Sequence, residues 1–128
     1  MKIYCTPCCK EKRADKELLE AISRYQSERI LAVFKKSEQD HVEFRILSGT
    51  FGLVHPREKI PFYDHQLTAE EIPQLTQKVK QQLAAQNIDA VVFFSKTTEM
   101  QERKPYADTI TQACTELGIP LELQIITD

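Results

Sequence analysis

The five consecutive apolar residues Ala90-Val91-Val92-Phe93-Phe94 set the tightest limit on the fold. A run this short, rich in β-branched and aromatic side chains, reads as a strand, and a strand with no polar alternate position has both faces buried. That burial needs helices on both sides of a sheet. The flanking patterns supply them. Ile72, Leu75, Val79 and Leu83 recur at the spacing of one helical face, and so do Tyr106, Ile110, Ala113, Cys114 and Leu117. Thr68 and Glu71 predict a capping box before the first of these helices, with Pro73 making its first turn irregular. Gly118 stands where the second should stop.

The rest of the chain completes the alternation. Strands are expected at Lys2–Cys5, Val42–Leu47, Asp89–Phe94 and Leu121–Ile126. A helical stretch should carry Leu18, Leu19, Ile22 and Tyr25, and a second, capped by Ser27, should carry Ile30, Leu31, Val33 and Phe34. Ser48–Leu67 reads as a long irregular segment. Val42, Phe44 and Ile46 alternate with Glu43 and Arg45, and Leu121, Leu123 and Ile125 with Glu122 and Gln124. Those two strands therefore belong near sheet edges. The expected fold is a single α/β domain over residues 1–128. It is three-layered, α/β/α, with a four-stranded parallel sheet in the order 2-1-3-4 and right-handed crossovers. In that order the chain reverses its progress between strands one and three, and ligands bind in the crevice beyond the carboxyl ends of the strands there.

The crevice selects three loops. In the first, Thr6–Ala14, Cys8 lies close in sequence to Lys10, Lys12 and Arg13. Neighbouring cations favour thiolate, so Cys8 is a candidate nucleophile and Lys12 a candidate binder of an anion or carbonyl. The second contains Ser48, Gly49 and Gly52, then Tyr63 and Asp64. The glycines permit close backbone approach. Asp64 is a candidate for proton transfer or for accepting hydrogen bonds from a base edge, and Tyr63 and Phe51 for a stacking wall. The third loop, Ser95-Lys96-Thr97-Thr98-Glu99, offers hydroxyls, with Ser95 nearest the strand. Each group also has a plainer reading, as part of a tight or rigid loop.

Cys5-x-x-Cys8-Cys9 has no second ligand pair of the kind structural zinc sites need, and His41, His55 and His65 are scattered. No metal and no cofactor is expected, and the cysteines should be free thiols. The formal charge of −2 weighs against non-specific nucleic-acid binding. It is unevenly spread: residues 1–36 hold nine Lys and Arg against five Asp and Glu. No apolar run is long enough to span a membrane and no secretory leader is visible, so a cytoplasmic location is expected.

Two resemblances follow from these residues. Leu47-Ser48-Gly49-x-Phe51-Gly52-Leu53-Val54-x-Pro56, followed by Pro61-x-Tyr63-Asp64, resembles the signature of a small domain family of unknown function. Many of its members read Leu-Ser-Ala-x-Tyr-Gly-Leu and then Pro-x-x-x-Tyr-Asp, after a Cys-x-x-x-Lys loop that Cys8 and Lys12 match. More distantly, the chain resembles the core domain of archaeosine synthase, which is related in fold to uracil-DNA glycosylases. Its hallmark begins Pro-Cys-x-x-x-Lys, as Pro7, Cys8 and Lys12 do, and continues with Pro-Tyr, Ser and His where this chain has Arg13-Ala14. That synthase modifies a 7-deazaguanine base in tRNA. The resemblance implies a glycosylase-like fold and a pocket for a nucleobase- or nucleoside-like ligand. Cys8 and Lys12 would face its reactive part, Gly49 and Gly52 would line the wall, and Asp64 would read or protonate a ring edge. A non-catalytic nucleotide-sensing or accessory module is the alternative. A metal- or redox-linked role through Cys5, Cys8 and Cys9 is a third reading.

Overall fold

The computed structural model describes residues 1–96 and 101–126. In chain order the strands are β1 (Lys2–Pro7), β2 (Leu19–Glu20), β3 (Glu43–Ser48), β4 (Gly52–Val54), β5 (Lys59–Ile60), β6 (Ala90–Lys96) and β7 (Leu121–Ile126). The helices are α1 (Ala21–Arg24), α2 (Glu28–Asp40), α3 (Ile72–Ala85) and α4 (Lys104–Leu117). The main sheet runs β4-β3-β1-β6-β7, and β2 pairs with β5 in a small separate sheet. β1 lies parallel to both β3 and β6, and β6 lies parallel to β7. β4 is antiparallel to β3, with Ser48 opposite Gly52.

The sheet is thus five-stranded and mixed, not four-stranded and wholly parallel. The extra strand comes from the segment expected to be irregular. After Ser48 the chain turns through three residues and pairs back on β3. A three-residue strand is too short to show an alternating pattern.

The apolar run falls in β6, which has a partner on each side, and Val91–Phe94 are buried. β7 lies at the edge, and Leu123 and Ile125 are exposed. Helices cover both faces. The Tyr4 hydroxyl donates to Asp40 of α2 at 2.6 Å, while the neighbouring Cys5 lies by Cys114 of α4. Successive side chains of a strand point to opposite faces, so α2 and α4 lie on opposite sides. α2 packs on β1 and β3, and α3 packs on α4 and β4. No helix among the described residues is long and apolar enough to cross a membrane.

Helix ends follow sequence chemistry closely. The Ile30 N–H donates to Ser27 Oγ at 3.3 Å, and the Thr68 N–H donates to Glu71 Oε1 at 3.0 Å. A 3-10 turn over Ala69–Glu71 precedes α3, where Pro73 had predicted irregularity.

The helix expected through Leu18, Leu19, Ile22 and Tyr25 is not formed. Only Ala21–Arg24 is helical; Leu18 is exposed and Tyr25 is extended. The cause is Arg24, which is fully buried. Its guanidinium donates to the carbonyls of Arg13 (2.7 Å), Asp15 (3.0 Å), Glu17 (2.6 Å) and Ile60 (3.1 Å). A rigid fork of donors satisfies three loop carbonyls and ties them to the end of β5.

Two glycines with positive φ give a discriminating test. Gly118 (φ 69°) caps α4 in open space. Gly52 (φ 73°) lies against the Gln82 side chain, whose Oε1 accepts from the Leu53 N–H at 2.7 Å and whose Nε2 donates to the Phe51 carbonyl at 3.1 Å. Gly118→Ala should cost about 1 kcal/mol, the left-handed backbone alone. Gly52→Ala should cost about 2–4 kcal/mol, because Gln82 must also move off its partners. Equal losses in urea unfolding would contradict the packing of β4 on α3.

Candidate functional site

The carboxyl ends of β1 and β3 meet at Cys8 and Ser48. The Cys8 N–H donates to the Leu47 carbonyl at 2.9 Å, so the first loop leaves β1 still pinned to β3. Arg29, buried in α2, donates to the Pro7 carbonyl at 2.8 Å and holds the same corner. The loop then runs beside Tyr25. Lys12 and Tyr25 form an antiparallel bridge, the Arg13 N–H donates to the Arg24 carbonyl at 2.8 Å, and the Gln26 N–H donates to the Glu11 carbonyl at 2.9 Å.

Ser48 organises the other side. Its Oγ accepts from the N–H groups of Thr50 (3.1 Å) and Phe51 (3.0 Å), which occupies its lone pairs. Its own proton is then donated to the Tyr63 hydroxyl at 2.8 Å. The Tyr63 hydroxyl lies 2.5 Å from that of Tyr25. Tyr106 completes the group: its hydroxyl accepts from the Leu67 N–H at 3.2 Å and its side chain hydrogen-bonds Cys8. Cys8, itself 1% exposed, therefore sits among three phenols. Burial raises the pKa of all three, and the neighbouring Cys8 sulfur raises them further. They stay O–H groups, able to donate to negative charge that develops beside the sulfur. The Lys12 ammonium stands 4.7 Å from the Tyr63 ring centre and 5.8 Å from that of Tyr25.

Cys8, Lys12 and Asp64 line one small hollow of about 50 Å³, together with Cys9, His65 and Arg103. Asp64 is exposed and Lys12 half-buried. Gly49 lines a wider trough of about 560 Å³ beside α3, which shares His65 with the small hollow. A Cβ on Gly49 would come within 3.1 Å of the Tyr106 hydroxyl, so the glycine allows the close approach of β3 to α4.

The remaining expected residues are placed otherwise. Ser48 is fully buried and lines no described hollow, so it acts through Tyr63. Gly52 faces Gln82. Tyr63 carries the Lys12 ammonium over its ring and meets Phe51 edge-on at 5.1 Å, so the pair is not a bare stacking wall. Ser95 lines a separate hollow with Ala107, Leu123 and Ile125. Thr97, Thr98 and Glu99 lie outside the described residues.

The cysteines are all free thiols. Cys5 is buried, which raises its pKa. Cys9 donates to the Glu11 carbonyl at 2.9 Å, and burial pushes it up to about 11 against the pull of Arg29 and Lys12. The cations therefore do not make a thiolate there. No group of three or more His, Cys, Asp or Glu among the described residues is arranged to hold a metal ion.

A family model matches residues 3–126, from β1 through β7. The chain belongs to the family of unknown function DUF6884. No curated protein and no solved structure gives a significant match. In this DUF6884 chain sequence reasoning missed Tyr106 as a site residue and did not place Tyr25 among the site residues. Both lie on apolar helical patterns, where periodicity reports burial and not the direction of a hydroxyl.

All four tyrosines titrate high. The hydrogen bond to Asp40, followed by burial, pushes Tyr4 up to about 12, and the three around Cys8 are raised chiefly by burial. A raised folded pKa contributes stability that is complete below the unfolded value, about 10, and is lost as pH rises beyond it. Phenolate absorbance should therefore stay flat through pH 10.5 and then rise together with loss of circular dichroism. A tyrosine titrating near 10 in the folded protein would contradict the cluster.

Proposed function

We propose that this chain recognises a nucleobase- or nucleoside-like ligand, a deazaguanine among the candidates, on a glycosylase-like α/β fold. The observation that carries the reading is the convergence of Cys8, Lys12 and Asp64 on one hollow at the carboxyl end of the parallel strands. Open α/β sheets bind ligands at that edge. The hollow of about 50 Å³ takes only one compact group, since a water's share of liquid volume is about 30 Å³. The bulk of a base would lie in the adjoining hollow of about 380 Å³, which shares Cys9, Lys10, Gln66 and Arg103.

In this reading Lys12 meets an electronegative edge of the ligand and Asp64 accepts from its N–H groups. The phenols of Tyr25, Tyr63 and Tyr106 keep the region around Cys8 rich in donors. Cys8 is the catalytic candidate because its sulfur lies among those donors. The burial of that same sulfur favours a second reading, a binding module that senses the ligand without transforming it.

Thermal-shift titration against nucleobases, nucleosides and 7-deazaguanines tests recognition, because a ligand of the native state raises apparent stability by mass action. At least one class should stabilise wild type, and Lys12→Ala and Asp64→Ala should each remove most of that shift while folding normally. Full stabilisation of both variants would overturn the site. Turnover abolished by Cys8→Ser would select the enzyme, and binding without turnover the sensor.

A further inference from the structure

Arg103 precedes α4 and is 8% exposed. Its Nε is buried without a hydrogen-bond partner, and among the described residues no carboxylate forms an ion pair with it. Its guanidinium carbon lies 5.3 Å from the centre of the Tyr106 ring. A cation at this position also faces the positive end of the α4 dipole, the unfavourable end for it. Burying an unpaired cation is costly unless something neutralises it. The group that would relieve all three penalties is an anion.

The space for one is present. Arg103 lines the small hollow over Cys8, where Lys10 and Lys12 bring the cations to three against the single carboxylate of Asp64. It also lines the adjoining hollow of about 380 Å³, where Gln26, Ser27 and Gln66 supply neutral hydrogen-bonding groups. Glu11 and Glu102 stand on the walls of that wider part. They disfavour a run of phosphates and leave room for a single one.

We propose that Arg103, with Lys10, forms a subsite for the terminal phosphate of a nucleotide, leaving Lys12 to the base. This rests on the reading above and deepens it: the ligand is a nucleoside monophosphate, not a free base. The planar guanidinium fork matches phosphate oxygens in two parallel hydrogen bonds, which an ammonium does not do.

The test is calorimetric titration of the full chain, in phosphate-free buffer, with inorganic phosphate, nucleosides, their 5′-monophosphates and a short oligonucleotide lacking a terminal phosphate. Inorganic phosphate should bind wild type. Each monophosphate should bind about tenfold or more tighter than its nucleoside, and Arg103→Gln should erase that difference. Arg103→Lys should restore only part of it. The Arg103 Nε–H resonance of the wild-type protein gives a readout that needs no variant, and phosphate should shift it. An unmoved resonance, or phosphate binding undiminished in Arg103→Gln, would overturn the subsite. Tighter binding of the oligonucleotide than of any monophosphate would overturn the terminal-phosphate assignment. Nucleoside binding without phosphate binding refutes the subsite alone. Phosphate binding with no gain from any nucleoside refutes the base reading alone.

Discussion

The hydroxyl of Ser48 uses every hydrogen-bonding direction it has, and the arrangement around Cys8 follows from that. Two backbone N–H groups close the turn into β4, and the remaining proton fixes Tyr63. Tyr63 then places Tyr25, whose backbone carries the Lys12 bridge. A single buried side chain thus sets the distance between loops that lie some fifty residues apart in the sequence. Because an unsatisfied buried polar group is costly, any movement of one loop is resisted by the other.

Arginine does comparable work where backbone is irregular. Arg24 ties together four carbonyls from two segments, and Arg29 holds the last residues of β1 from beneath. Both charges are spread over planar groups that hydrogen-bond to carbonyl dipoles. The site therefore rests on loops that have lost their freedom to polar bonds more than to apolar packing. Arg103 differs from these two in opening onto the hollow beside Cys8.

Much of the scaffold was legible in the sequence. The run at Ala90–Phe94, the helical faces of α3 and α4, the capping pair Thr68 and Glu71, and the stop at Gly118 each report a local physical requirement, and each appears as an element or a cap. The small strands were not legible. β2, β4 and β5 span two or three residues each, too few for a period, and they are fixed by Arg24 and Gln82 from elsewhere in the chain. Of the site, the loops bearing Cys8, Lys12 and Asp64 could be chosen because a switch in strand order marks a crevice. The phenols of Tyr25 and Tyr106 could not, because burial and hydroxyl direction are separate facts and periodicity carries only the first. Buried arginines were invisible for a related reason. Composition treats them as surface charge, and only tertiary structure shows which carbonyls they serve.

The account turns on the coupling between Ser48 and Tyr63, and a double-mutant cycle measures it directly. Urea unfolding of Ser48→Ala, Tyr63→Phe and the double variant should give an interaction free energy within the range of about 0.5–3 kcal/mol seen for side chains in one network. Losses that add to within about 0.3 kcal/mol would mean that the two hydroxyls are energetically independent, and the loops would need another explanation for meeting over Cys8.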